Sequence, residues 1–405
     1  MELRPILSAL LRHKTAPLLI ALQIALTLAI VCNAGYLIAN RLGNAARPSG
    51  VDESSLFDIR FYPHRKIDDV VEMQRRDLQT LRALPGVQSV ALSNQIPLGR
   101  SSWTSGGLTA ERGQSTQIRS ANYMSPDSLV DTFGLRLVEG RDFLPEEIDT
   151  FDPQKEQYHP RRAIVTLALA RALFPDAQNF AGRSFYFGGG DESDQLQIVG
   201  VVERLQTPSA PADASAEYSL LLPVRSLDPY VRYVVRTEPA LRNRVMTEAE
   251  QALLALRNDR VLLGKRSLDD WRALRYASEN TLAILLIAVS AFLLLITASG
   301  IVGLASLWVN QRTKQIGVRR ALGARRIDIL RYFLVENLLI TSTGIFAGLL
   351  LALLLNDLLV RELSVSRLPA PYIGSGMAIM WLLGLVAVLG PAIRATRVPP
   401  AVATR

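Results

Sequence analysis

One cysteine, Cys32, and three histidines, His13, His64 and His159, stand in 405 residues. A lone cysteine excludes a disulfide within the chain, so any extracytoplasmic domain here must hold together by its core alone. The histidines are scattered, without the close pairing of a zinc site, and read as surface residues. No G-x-S-x-G segment occurs, which removes the nucleophile elbow of one large hydrolase class. Gly264-Lys265-Arg266-Ser267 looks like the end of a phosphate loop. Asp259 stands where the first glycine of that loop belongs, so the chain is expected not to hydrolyse ATP itself. Cys32 follows Leu28-Ala29-Ile30-Val31, and Val31 is too bulky for a lipidation site, which leaves a buried thiol.

Acidic charge is scarce only in places. The net charge of +8 divides into +2 over residues 1–14, +6 over 310–332 and +3 over 391–405, while 41–280 carries −2. Basic charge gathered in short segments on one expected side of a membrane is a topology signal, and nucleic-acid binding is not expected.

What is abundant is apolar length. Hydrophobic residues make up 49% of the chain, and four runs are long enough to cross a bilayer. These place a cytoplasmic N-terminus at 1–15, an uncleaved first span at 16–40, and spans at 281–309, 332–355 and 372–393. A cytoplasmic loop at 310–331, a short outer loop at 356–371 and a cytoplasmic tail at 394–405 complete the topology. Gln23 and Thr27 share one face of the first span, and Asn33 is its third polar member. The expected fold class is a membrane protein of four transmembrane α-helices, with a large α+β extracytoplasmic domain inserted between helices 1 and 2.

That domain, 41–276, has mixed charge and most of the prolines. Periodicity predicts helices at 65–84, 125–133, 167–174 and 239–257, and strands at 87–93, 115–121, 162–166, 184–187, 196–202 and 230–236. An amphipathic helix at 267–280 runs into the second span. Gly140 and Gly182 read as turn glycines before strands. Gly188-Gly189-Gly190-Asp191-Glu192-Ser193-Asp194 carries acids of calcium-ligand type, but a polar hairpin tip is the stronger reading.

The most informative stretch is 309–336. Arg312, Lys314, Arg319, Arg320, Arg325, Arg326 and Arg331 face a single acid, Asp328, before the third span, which opens with Glu336 and Asn337. Residues 313–322 read as a short helix bounded by Gly317 and Gly323, with Ile316, Val318 and Leu322 available for docking. Glu336 and Asn337 are costly in lipid and are expected at the interface or against protein. Gly344-Ile345-Phe346-Ala347-Gly348 lets another helix come close, belonging either to a second copy or to the same subunit.

Arg312-Thr313-Lys314-Gln315-Ile316-Gly317-Val318-Arg319-Arg320-Ala321-Leu322-Gly323-Ala324 closely resembles the permease signature of the FtsX/MacB family of ABC transporters. Three further segments resemble the MacB-like extracytoplasmic core domain: 123–143, 163–183 and 197–202. The resemblance implies a permease subunit of a type VII-like ABC system, without a fused ATPase. In the family, the stretch equivalent to Lys314, Gln315, Ile316, Gly317, Val318, Arg319, Arg320, Ala321, Leu322 and Gly323 contacts a separate cytoplasmic ABC ATPase. ATP and Mg would be bound by that partner, so no cofactor is expected in this chain. The resemblance also implies a second permease subunit, a periplasmic adaptor, peptide or lipoprotein as outer partner, membrane lipid around the spans, and a bacterial inner-membrane location. Two positions depart from the pattern. Gln315 replaces the usual glutamate, and residues 398–405 lack the usual Asp, as one half of a heterodimer would. The alternative of another class is a stand-alone membrane-anchored receptor.

Overall fold

The computed structural model describes residues 15–100, 103–114, 117–153, 155, 158–188, 193–363 and 367–399. Arg4, Arg12, His13 and Lys14, the hairpin-tip residues Gly189, Gly190, Asp191 and Glu192, and residues 400–405 lie outside the described residues. The chain divides into two compact units, one made of the residues up to Ala45 with those from Ser278 onward, the other Ala46–Ala277.

In chain order the elements are α1 (Thr15–Ala45), β1 (Leu56–Pro63), α2 (Val70–Arg82), β2 (Val87–Leu92), β3 (Thr104–Leu108), β4 (Ile118–Ser125), α3 (Leu129–Phe133), β5 (Leu137–Gly140), β6 (Asp149–Phe151), β7 (Arg162–Thr166), α4 (Leu167–Leu173), β8 (Ser184–Phe187), β9 (Asp194–Val202), β10 (Ser219–Ser226), β11 (Val231–Thr237), α5 (Arg242–Leu256), β12 (Arg260–Ser267), α6 (Leu268–Gln311), α7 (Thr313–Ala321), α8 (Arg326–Leu363) and α9 (Ala370–Thr396). Helices α1, α6, α8 and α9 are each long and apolar enough to cross a membrane. The α+β unit lies between α1 and the membrane-spanning part of α6.

In the outer unit an antiparallel sheet of order β12-β1-β11-β2 stands beside a mixed sheet of order β3-β4-β10-β7-β9-β5. Alternation along β1 sends Phe57, Ile59 and Phe61 to one face, where Leu78 and Leu81 of α2 and Val245 and Leu253 of α5 cover them. Leu56, Ala91 and Val234 face the other way and join Tyr123, Phe133, Leu221, Leu268 and Trp271 in a second core. A third core forms around β7, β9 and α4.

Several expectations are corrected. The helix expected at 65–84 begins only at Val70, where Asp69 accepts from the Glu72 N–H at 2.9 Å. That at 125–133 contracts to five residues because β4 runs on to Ser125, and Ser128 caps the start of α3. The strand expected at 115–121 lies at Ile118–Ser125 for the same reason. Gly140 closes β5 instead of preceding a strand. Its φ is +71°, and a Cβ there would collide with the Val199 carbonyl. Strands β1, β3, β5, β6, β10 and β12 were not anticipated. β1 carries Asp58 and Arg60 on its inward face, β10 contains Pro223, and β12 absorbs the Gly264-Lys265-Arg266-Ser267 stretch. Pro223 and Gly264 interrupt the pattern by which β10 and β12 would be recognised, whereas β1 keeps its apolar-polar alternation over residues 57–61.

In the membrane unit, α8 lies against α1. A Cβ on Gly344 would come within 2.8 Å of the Ala21 carbonyl oxygen and of Ile24 Cβ, and one on Gly348 within 2.9 Å of Ala25 Cα. The small-residue stripe therefore seats a helix of the same subunit. A leucine at Gly348 is expected to cost about 1–3 kcal/mol by overpacking. Thermal melting of the detergent-purified chain measures this, and an unshifted melt would contradict the close approach.

Several polar groups in the spans find partners, as hydrocarbon favours, while the Ser290 and Thr341 hydroxyls have none among the described residues. Thr27 and Thr297 share a 2.8 Å hydroxyl bond between α1 and α6. Asn33 donates to the Ala29 and Ala352 carbonyls at 2.9 and 3.2 Å and accepts from Asn356 at 3.2 Å. Asn356 in turn accepts from the Leu368 N–H at 3.0 Å.

Candidate cytoplasmic coupling site

The basic loop is largely helical. α6 stops at Gln311, and the Thr313 hydroxyl donates to the Val309 and Asn310 carbonyls, both at 2.9 Å. Such side-chain bonds take up carbonyls that a continuing helix would use. α7 then runs Thr313–Ala321 with Gly317 buried in its interior, so Gly317 does not bound the helix as expected. Gly323 does. With φ at +95° it donates to the Arg320 carbonyl at 3.1 Å, while the Ala324 N–H reaches Arg319 O at 3.0 Å. This is the Schellman pattern, which needs a residue comfortable in the left-handed region. α8 follows at once, and Asp328 in its first turn accepts from the Arg325 N–H at 3.0 Å.

The two faces of α7 differ. Ile316 is buried among Val309, Ile329, Phe333, Ala392 and Ala395, so it anchors the helix and is not available for docking, contrary to expectation. Arg320 also faces inward, its Nη1 donating to the carbonyls of Thr396 and Val398 at 3.0 and 2.7 Å. Those are end groups of α9, where a cation meets free carbonyls and the negative pole of the helix. Lys314, Gln315, Val318, Arg319, Ala321 and Leu322 form the exposed side, with Leu322 83% exposed.

Beneath α7 lies a buried ion pair. Arg312 Nη1 stands 3.0 Å from each oxygen of Glu336 and 3.1 Å from the Tyr332 hydroxyl. The Arg312 guanidinium also sits over the rings of Trp308 and Tyr332, at 5.5 and 6.0 Å, and Arg319 covers Tyr332 at 5.1 Å. Glu336 is 1% exposed, turned into protein. Asn337 donates to the Gly384 carbonyl of α9 at 2.9 Å. α6, α7, α8 and α9 are thus tied together through named side chains at one end of the bundle.

The sequence reading singled out Glu336 but not its partners. Arg312 and Glu336 are 24 positions apart, and no local spacing announces their pairing. Tyr332, Trp308 and Thr396 were missed for the same reason. Elsewhere, His64 is exposed and His159 faces Asp194 at 3.0 Å on the surface. Among the described residues no cluster of three or more His, Cys, Asp or Glu is close enough to hold a metal ion.

Comparison with known proteins bears on this arrangement. The family model of the MacB-like periplasmic core domain matches residues 23–254, and that of the FtsX-like permease C-terminal region matches 287–400. The macrolide export ATP-binding/permease protein MacB of Bradyrhizobium diazoefficiens is 31% identical over 268 residues, covering 62% of this chain and 39% of the relative. MacB of Aggregatibacter actinomycetemcomitans is 26% identical over 361 residues, 85% of this chain and 51% of that protein. The pyoverdine export ATP-binding/permease protein PvdT of Pseudomonas syringae pv. syringae is 26% identical over 263 residues, with 62% and 39% covered. The chain therefore spans between about two fifths and one half of these relatives' length. With four apolar helices, a large extracytoplasmic α+β domain and both family regions in order, the chain is a multi-pass inner-membrane protein and belongs to the MacB/FtsX-like family of ABC-transporter permeases.

Proposed function

We propose that this permease works with a cytoplasmic ATPase and carries the ATPase's nucleotide-driven movement to its outer domain, which acts on an extracytoplasmic partner or cargo. The observation that carries this reading is the two-sided build of α7. Its inner face is fixed by Ile316 and by Arg320, while Val318 on its outer face and Leu322 at its end are left exposed by the described residues. An apolar residue left that exposed amid cations suits a protein partner, because a lipid headgroup layer would be met by charge alone. The relatives' names point to export, and the proposal extends to this chain the movement of a substrate outward. ATP and Mg would sit in the ATPase. A second permease copy or a related subunit would complete the assembly, and Gln315 would weaken one ionic contact on this side.

The test is Leu322→Asp. Leu322 touches little of its own chain, so the folded protein should melt as the parent does, yet recovery of the ATPase in a mild-detergent pull-down from native membranes should fall by roughly tenfold or more. Unchanged recovery would remove α7 from the contact. No ATPase in the parent preparation, where a known member of the family keeps its own, would favour a stand-alone receptor.

A further inference from the structure

The outer unit contains a cleft that the coupling role does not use. It opens between the end of β2, the start of β11 and the ends of β4 and β10, holds a volume of about 70 Å³, and is walled by Leu92, Trp103, Met124, Phe151, Tyr230 and Arg232 among others. Most of this wall is apolar or aromatic, and Trp103 stands at it 48% exposed. Wide aromatic surface left to water at a concave site is a common mark of ligand contact.

Among the described residues Arg232 is the one cation in the wall. Its side chain is 3% exposed, and its bonds are few for five donors. Nη2 reaches the Tyr230 hydroxyl at 3.3 Å, and Nε lies 3.5 Å from Asp58 Oδ2. Nη1, itself buried, has no hydrogen-bond partner among the described residues. Asp58 does not neutralise it alone, because the same carboxylate faces Arg60 at 3.3 Å and accepts from the Trp271 indole at 2.5 Å. Arg60 and Arg232 are cross-strand partners, so two guanidiniums share one buried carboxylate. A buried donor with no acceptor is costly, and more so when charged. An incoming anion removes that cost.

We infer that this cleft binds an amphipathic carboxylate, such as the C-terminal end of an apolar peptide, with the carboxylate on Arg232 and the apolar part against Trp103, Met124 and Phe151. One guanidinium with a single shared carboxylate suits one further negative charge. Phosphate would need further donors, and the nearby amides of Gln74 and Asn94 are already engaged with the Ser226 and Asn122 carbonyls at 2.9 and 3.0 Å. Asp228 in the wall repels a second negative group. The inference stands apart from the ATPase reading, since binding here requires no nucleotide.

The full chain in lipid nanodiscs is titrated with N-acetyl-Leu-Leu bearing a free carboxylate and, in parallel, with its C-terminal amide, followed by saturation-transfer NMR and tryptophan fluorescence. The acid should saturate and bind roughly tenfold more tightly than the amide. Arg232→Gln should erase that preference. Trp103→Ala, at a half-exposed position, should weaken acid and amide alike and abolish the fluorescence change. Equal binding of acid and amide by the parent chain, no saturation by either, or unchanged binding in Trp103→Ala would each overturn the inference. Should Arg232→Gln fail to fold, the parent's preference and the Trp103 variant decide between these outcomes.

Discussion

Arg312→Ala is expected to destabilise the membrane unit by about 3–5 kcal/mol, because it leaves the Glu336 carboxylate buried without its partner. Glu336 is 1% exposed and its oxygens have Arg312 Nη1 at 3.0 Å, so no solvent takes the place of the guanidinium. The loss extends beyond the ion pair, since Arg312 also holds Tyr332 and lies over Trp308, fixing the junction of α6 with α7. Thermal melting in detergent reads the stability, and stimulation of the partner ATPase by the permease reads the coupling. The double variant Arg312→Met with Glu336→Met separates the two. Removing both charges should restore most of the melting temperature while coupling stays low, because the link from α7 to α8 is gone. A single variant as stable as the parent would show that Glu336 is matched from elsewhere.

The second large effect is expected at the start of α6. Trp271 is 2% exposed, donates to Asp58 Oδ1 at 2.5 Å and is covered by Arg60 and Arg266 at 5.2 and 5.0 Å. Truncation to alanine should cost about 3–5 kcal/mol for a buried aromatic of this size. Trp271→Phe keeps most of the packing and loses the indole N–H, for which about 1–3 kcal/mol is expected because Asp58 stays buried. Burial pushes the Asp58 carboxyl above its ordinary range, against the opposing pull of Arg232, the Trp271 N–H and Arg60. Denaturant unfolding of the outer unit, followed by fluorescence, gives both values. Equal losses in the two variants would assign the whole effect to the hydrogen bond.

Trp271 and Arg312 stand near opposite ends of one unbroken helix, Leu268–Gln311. In the proposed mechanism a movement of α7 enters this helix through Arg312 and leaves it through Trp271. Failure at either end should uncouple the protein while leaving the other end folded.

The membrane architecture was legible because its signals are local. Uncharged runs give the spans, and charge segregation gives their orientation. The short helix of the basic loop and its glycine stop were equally readable, since Gly323 meets a backbone demand of its own. What escaped depends on residues distant in sequence. Ile316 resembled a docking residue until the packing of α9 behind it was known. β12 was hidden by Gly264 and its run of basic residues, whereas β1 alternates apolar and polar residues over residues 57–61 and was open to reading from the sequence. Gly344 and Gly348 announced a close approach but not the identity of the neighbour, which the contacts with Ala21, Ile24 and Ala25 supply.

Cys32 lies 2% exposed on α1, and a Cβ at Gly376 of α9 would collide with its sulfur. Thiol reagents therefore have no ready target in the native fold. Cysteines introduced in pairs at exposed positions such as Leu322 and Val318 on the inner side, or Trp103 on the outer, would take spin or fluorescent labels selectively. The native sequence is already a background on which distances between the two faces of the membrane can be followed through a nucleotide cycle.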